Sequence, residues 1–101
     1  MKKMLYSVRD DLGFDYEPPF SAATDVACLR MVSSQVNNEI NQYNRGTIDY
    51  DPKPQHSTRS LYFVGEFDCN TGEIIPASPT PIFICKLCDS ENTYQSYLSK
   101  L

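Results

Sequence analysis

The alternation of apolar and polar positions is clearest between residues 60 and 75, where it predicts a β-hairpin. Four consecutive apolar or aromatic side chains point in turn to the two faces of a strand: Leu61, Tyr62, Phe63 and Val64. Because neither face is polar, this strand is expected in the middle of a sheet rather than at its edge. Asp68 and Gly72 then supply turn chemistry, since Asp bonds nearby backbone N–H groups and Gly adopts a left-handed conformation.

Further strands are predicted on both sides of this hairpin. Residues 4–9 alternate as a first strand, residues 10–13 form a turn, and residues 14–17 form a short return strand that ends at Pro18 and Pro19. After the hairpin, three prolines break the chain into an extended connector, and residues 82–87 form a last strand.

One long helix is predicted to begin at Thr24 or Asp25. Thr24 is a favourable N-cap, and Asp25 places a negative charge at the positive end of the helix dipole. An apolar stripe with helical spacing follows: Val26, Leu29, Val32 or Ser33, Val36 and Ile40. Within this helix, Cys28 is expected to pack as a small apolar residue. Asn37-Asn38 is a plausible end, although the stripe allows an extension towards residue 42.

The remaining segments have weaker patterns. Residues 43–59 are polar, contain two prolines and lack apolar periodicity, so a mobile loop is expected there. Ser90 could cap a short C-terminal helix with apolar residues along one side: Tyr94, Tyr97, Leu98 and Leu101.

These elements predict an α+β fold, a small antiparallel sheet with one long helix packed across a face and a short C-terminal helix. Residues 1–101 are expected to form a single domain. The uncovered sheet face is expected to carry some of four residues: Tyr6, Val8, Tyr62 and Val64. A second subunit or a ligand should cover that face, and dimerisation would enlarge a small core.

Composition and charge exclude several classes. A hydrophobic content of 41% excludes wholesale disorder, and no apolar run is long enough for a membrane span. Met1-Lys2-Lys3 leads directly into a strand-like segment, so no signal peptide is expected and the cytoplasm of the cell that makes the protein is the expected location. The net charge of −4 disfavours strong, nonspecific DNA binding, because such binding normally uses a basic surface.

The residues that could carry catalysis or a metal ion are few. Cys85 and Cys88 have the spacing of a zinc knuckle or a redox pair, and only Cys69 and His56 could complete a zinc site. Spare, reduced thiols are the favoured interpretation. His56 lies in a Pro-rich segment, where a lone histidine is usually exposed to solvent, and no nucleophile can be paired with it. We therefore expect no enzyme activity, no metal and no cofactor.

A modest case for nucleic-acid binding exists in a group of cations and tyrosines near the first strand and the central hairpin. These candidates are Lys2, Lys3, Tyr6, Arg9, Arg59 and Tyr62. Aromatic rings beside cations on a sheet face bind single strands by stacking and by phosphate contacts. The alternative from the residues alone is that the tyrosines belong to the core or an interface and the cations are solvated.

Three ordered motifs also resemble a known family. The longest is Leu61-Tyr62-x-x-Gly65-Glu66-Phe67-Asp68-x-x-Thr71-Gly72-Glu73-Ile74. The others are the strand Met4-Leu5-Tyr6-Ser7-Val8-Arg9-Asp10 and a helix segment with Pro19-Phe20-Ser21, Thr24-Asp25, Ala27, Arg30 and Val36-Asn37. Together, over residues 4–37 and 60–75, they resemble the small nonstructural protein of gokushoviruses, which are single-stranded DNA microviruses.

This resemblance implies a function but no catalytic residues. It implies a role in viral single-stranded DNA synthesis, as a DNA-binding protein or as an accessory to a viral replication protein, and a homodimer is expected. The alternative is a non-enzymatic adaptor that holds a viral or host protein without contacting DNA.

Overall fold

The computed structural model describes residues 1–101 as a curled antiparallel sheet with a long helix and two shorter helices. Its strands are β1 (Lys2–Asp10), β2 (Asp15–Tyr16), β3 (Phe20–Ala22), β4 (Arg59–Asp68), β5 (Ile74–Pro76) and β6 (Ile82–Lys86). Its helices are α1 (Asp25–Asn44), α2 (Lys53–Ser57) and α3 (Ser90–Leu98). The predicted α+β class is confirmed. None of the helices combines the length and apolar character needed to cross a membrane.

The strands β1 and β4 form the centre of the sheet and pair along their whole lengths. The outer edge of β1 is shared by β2 and β3, and the outer edge of β4 is shared by β5 and β6. The central position predicted for the strand of residues 60–68 is therefore confirmed. The strand β3 was not predicted, because only three residues, Phe20–Ala22, pair with β1.

The hairpin between β4 and β5 forms by the predicted turn chemistry. Asp68 Oδ1 accepts hydrogen bonds from the backbone N–H groups of Asn70, at 2.9 Å, and Thr71, at 3.3 Å. Both bonds hold the pKa of Asp68 below its usual value, and the bond from Asn70 has the larger effect. Gly72 adopts φ +76°, the left-handed conformation that closes the turn.

The helix α1 begins where the sequence predicts and continues further than expected. Thr24 Oγ1 accepts a hydrogen bond from the Ala27 N–H at 3.1 Å, which is the expected N-cap. The predicted end at Asn37-Asn38 is wrong, because Ile40 prolongs the apolar stripe and packs against the core. Where Ser90 was predicted to cap α3, Asp89 precedes the helix instead, and the Ser90 hydroxyl donates to the Leu87 carbonyl.

The core lies between α1 and one face of the sheet. Its eight members are Tyr6, Cys28, Leu29, Val32, Val36, Leu61, Cys85 and Leu87. Tyr6 is completely buried, and its hydroxyl donates to Asp25 Oδ1 in the first turn of α1 at 2.5 Å. Burial and the Asp25 carboxylate both raise the pKa of Tyr6. Cys28 packs in this core as predicted.

The segment of residues 43–59 contains structure that the sequence did not predict. It includes α2, whose preceding residue Pro52 is buried. His56, expected in solvent, is only 4% exposed, and its Nε2 lies 2.8 Å from Glu39 Oε1 on α1. That expectation is wrong because α2 places the imidazole ring against α1. The predicted mobility of the segment stays a prediction.

Candidate nucleic-acid interface

The sheet face opposite α1 carries a group of aromatic side chains that do not belong to the helix-covered core. Residues that lie directly opposite each other on paired strands share a face of the sheet. Tyr62 of β4 lies opposite Ser7 of β1 and opposite Phe83 of β6. Arg9 of β1 lies opposite Tyr16 of β2. One face therefore presents Tyr16, Tyr62 and Phe83 from three different strands.

We call Phe14, Tyr16, Tyr62 and Phe83 the aromatic row. The ring centroids of Tyr16 and Tyr62 are 5.5 Å apart, and those of Tyr62 and Phe83 are 5.7 Å apart, both in edge-to-face geometry. The row can cross β1 because Ser7, which is buried beneath it, is small. Tyr16 is 45% exposed, Phe83 53% and Phe14 72%, so much of the ring surface is accessible to a ligand.

Arg9 places a cation beside the row. Its guanidinium carbon lies 5.2 Å from the ring centroid of Phe14 and 5.8 Å from that of Tyr16, which is cation–π distance. The guanidinium Nη1 also lies 3.3 Å from Asp11 Oδ1, and both side chains are about one quarter exposed. This carboxylate holds Arg9 against the rings, while the exposed part of the guanidinium can still reach an anion.

Only some of the candidates predicted from the sequence share this face. Arg9 and Tyr62 do, and Lys3 lies further along it, opposite Phe67. The joint placement of Tyr6 with them is wrong: Tyr6 lies opposite Phe63 on the covered face and is buried in the core.

The two remaining candidate cations also lie away from the row. Lys2 belongs to the face of Tyr6 by strand alternation, and its Nζ is 3.7 Å from Glu66 Oε2. Arg59 lies opposite Asp10, and its side chain lines a cavity beneath α1. The first strand does pair with the central hairpin, as the hypothesis required. However, the six candidate residues lie on two different faces of the sheet.

The structure adds residues that sequence reasoning missed. Phe14 and Tyr16 enter through the turn after β1, and Phe83 enters from β6. Lys86 lies opposite Ser60 on the same face, with its Nζ 3.3 Å from the Ser57 carbonyl oxygen. The available signal was the alternation of β1, which places Ser7 and Arg9, the partners of Tyr62 and Tyr16, on one face.

The cysteines are distributed over two environments. Cys28 and Cys85 are buried, whereas Cys69 and Cys88 are exposed. The structure gathers no group of three or more histidine, cysteine, aspartate or glutamate side chains that could hold a metal ion. Burial raises the pKa of the Cys28 thiol to about 12, and burial also raises the pKa of Cys85.

We expect two of the four thiols to react quickly with an aromatic disulfide reagent in the folded protein. Cys69 and Cys88 are accessible, whereas Cys28 and Cys85 are buried and protonated at neutral pH. Absorbance after reagent addition counts the reactive thiols, and the same assay in denaturant should count all four. Rapid reaction of all four thiols under native conditions would contradict the described core.

The comparisons with known proteins give one match. A family model described as "Phage ORF5 protein" matches residues 3–90, which include α1 and all of the sheet except Lys2 at the start of β1. No curated protein and no solved structure matches the chain.

Proposed function

We propose a function that proceeds from one premise: this chain belongs to the phage ORF5 protein family. The proposed function is that of a single-stranded-DNA-binding accessory in viral DNA synthesis, located in the host cytoplasm. The motifs that resemble the gokushovirus small nonstructural protein support this narrower placement, because those phages have single-stranded DNA genomes. The proposed role is non-enzymatic.

The aromatic row with Arg9 carries this proposal. Successive bases can stack on exposed rings without regard to sequence, and stacking contributes about 1–3 kcal/mol per base in such sites. Within the row, Tyr16, Tyr62 and Phe83 extend from β2 to β6, and the ring centroids of neighbours among these three are 5.5–5.7 Å apart. This geometry suits a flexible single strand, whose bases can separate and turn, better than a duplex, whose bases are stacked and paired.

Charge determines how strong such binding should be. Only Lys3, Arg9 and Lys86 place cations on the face of the row, and the whole chain has a net charge of −4. Few phosphate contacts are therefore available, and the acidic body repels the rest of the strand. We expect weak binding in which stacking contributes more than charge neutralisation.

The test is a fluorescence-anisotropy titration of a labelled single-stranded oligonucleotide at low and moderate salt, with a duplex as control. We expect saturable binding that prefers the single strand. Tyr62→Ala should weaken it about 5- to 150-fold, which corresponds to one lost stacking contact. Arg9→Gln should weaken binding and reduce the salt dependence by about one phosphate contact.

Matched variants separate this interface from general surface effects. Tyr43→Ala removes an exposed tyrosine from α1, and Arg45→Gln removes an exposed cation just beyond that helix. Both should bind DNA as the unaltered chain does. A flat titration at low salt, or equal losses in the control variants, would overturn the proposed interface.

A protein-interaction adaptor is the second candidate, and exposed apolar side chains at one sheet edge favour it. Ile74 and Ile75 of β5 and Ile82 of β6 are all exposed on the outer side of β4. The acidic charge also fits a protein that avoids DNA. If the oligonucleotide titration is flat while Ile82→Lys abolishes capture of a viral replication protein, the adaptor function replaces the first proposal.

The expected homodimer stays a prediction, and the same exposed edge is our proposal for its interface. A small chain with exposed isoleucines at an outer strand gains buried area by pairing with a second copy. Sedimentation velocity of the samples used for the titration measures the mass of the protein and of its DNA complex.

A further inference from the structure

A cavity of about 400 Å³ lies on the covered side of the sheet, away from the aromatic row. Its walls come from β1, β3, α1 and α2, and six of its eleven lining residues are hydrophobic. Phe20, Met31 and Val36 are among these apolar walls. A volume in the range of about 300–1,000 Å³ with few polar groups is typical of small-molecule sites.

Arg59 supplies the only cation that lines this cavity. Its guanidinium has no carboxylate within 4.0 Å and makes no side-chain hydrogen bond. The neighbouring Glu39 carboxylate is already bound by His56 Nε2 and by the Tyr50 hydroxyl, each at 2.8 Å. Arg59 therefore retains free donors that match a carboxylate in geometry and charge.

Glu39 also limits the charge that a ligand can carry. Its carboxylate lines the same cavity, and the hydrogen bond from His56 is the largest cause that holds its pKa below the usual value. Glu39 is consequently ionised at neutral pH and repels a second negative charge. One free guanidinium beside one ionised carboxylate suits a singly charged anion better than a phosphate dianion.

His56 also lines this cavity, but neither of its ring nitrogens is open to a ligand. An ionised carboxylate can only accept hydrogen bonds, so His56 Nε2 must carry the proton that faces Glu39. In the neutral ring, Nδ1 is then an acceptor, and it is buried without a hydrogen-bond partner. Because this atom is closed to solvent, a ligand in the cavity cannot reach it, and His56 acts as an apolar wall and as the partner of Glu39.

We propose that this cavity binds a small planar organic monoanion. The apolar walls contact its ring, and Arg59 binds its carboxylate. This site is independent of the aromatic row, because it lies on the other face of the sheet and shares no residue with the row.

The experiment is a titration of the full chain with indole-3-acetate, followed by two-dimensional NMR of the backbone amides. This probe combines a planar apolar ring with one carboxylate. We expect saturable shifts in residues around the cavity, with affinity at least tenfold higher than for the neutral indole-3-acetamide. Naphthalene-1-acetate, which has a planar apolar ring and one carboxylate but no N–H donor, should also bind, because the proposed site uses only the ring and the carboxylate.

Variants test the contact with Arg59 and the cavity itself. Arg59→Gln should remove the preference for the acid over the amide, whereas Arg45→Gln should preserve it. If Arg59→Gln does not fold, Met31→Trp provides the second test, because the larger side chain should fill the cavity and abolish binding while the NMR spectrum stays dispersed. Absence of saturable shifts at millimolar probe, or an unchanged acid preference in a folded Arg59→Gln, would overturn the proposed site.

Discussion

Replacing Tyr6 by alanine is expected to lower the free energy of unfolding by about 3–5 kcal/mol, which is the usual cost of removing a buried aromatic ring. Tyr6 is completely buried in the core. Its ring centroid lies 6.0 Å from that of Phe20 and 5.9 Å from that of Phe63. A domain of this size has roughly 5–15 kcal/mol of stability in total. The variant should therefore be marginally folded at 37 °C.

Urea denaturation followed by far-UV circular dichroism measures this loss. Tyr62→Ala is the matched control, because it removes the same side chain from the other face of the central strand pair. It should cost less, about 1–3 kcal/mol, since it loses two edge-to-face ring contacts while part of the side chain is already in solvent. Equal losses for both variants would show that the two sheet faces have been assigned incorrectly.

Tyr6→Phe separates the ring from the hydroxyl. The ring still fills the core, but the hydrogen bond to the Asp25 carboxylate is lost. Because Asp25 is largely exposed and can be rehydrated, we expect a loss of only about 1–2 kcal/mol. A loss near that of Tyr6→Ala would assign most of the stabilisation to the bond between β1 and α1.

The sequence predicted the elements that depend on local chemistry. The cap at Thr24, the turn at Asp68 and the alternation within β4 all act over a few residues, and each is present in the structure. The end of α1 was harder to predict, because the terminating effect of Asn37-Asn38 competes with burial of Ile40 against the core. Tertiary packing prevails in that competition.

The candidate interface was predicted only in part, because a sheet face depends on register. One part of the error needs no register to detect: Tyr6 and Arg9 are an odd number of residues apart on one strand, so alternation alone places them on opposite faces. The other parts depend on which residues pair across strands. The sequence does not reveal that Tyr6 lies opposite Phe63, or that Phe83 lies opposite Tyr62 after an irregularity in the pairing of β4 with β6. Such pairings join strands that are distant in sequence.

The burial of His56 shows the same limit for polar groups. Its partner Glu39 lies 17 residues earlier in the chain, on a different helix. A proline-rich stretch with one histidine has the composition of a loop, and only the packing of α2 converts it into one wall of a cavity. The proposed ligand site is therefore a product of tertiary structure, with no local motif.

Gly65→Ala is expected to detach β5 from the sheet and to lower the free energy of unfolding by about 1–3 kcal/mol, as overpacking does. A Cβ atom at this position would lie 2.5 Å from the Ile75 carbonyl oxygen and 3.1 Å from the Pro76 Cα. Both are backbone atoms of β5, so the strand itself must move. This close approach gives a physical reason for the glycine in the motif that contains Gly65-Glu66-Phe67-Asp68.

Amide hydrogen exchange of the Gly65→Ala variant shows which strand is destabilised and by how much. The Ala77 N–H, which donates to the Val64 carbonyl at 3.0 Å, should lose protection, whereas amides between β1 and β4 should keep theirs. Gly72→Ala is the control in the same hairpin, since a Cβ there meets nothing within 4 Å and only the left-handed conformation is strained. It should lower stability while Ala77 stays protected.

Preserved protection of Ala77 in Gly65→Ala would mean that β5 tolerates the methyl group, and the close approach could then not explain the glycine. Loss of protection confined to β5 would show that β1 and β4 retain their pairing, and with it the aromatic row, when this edge strand is released.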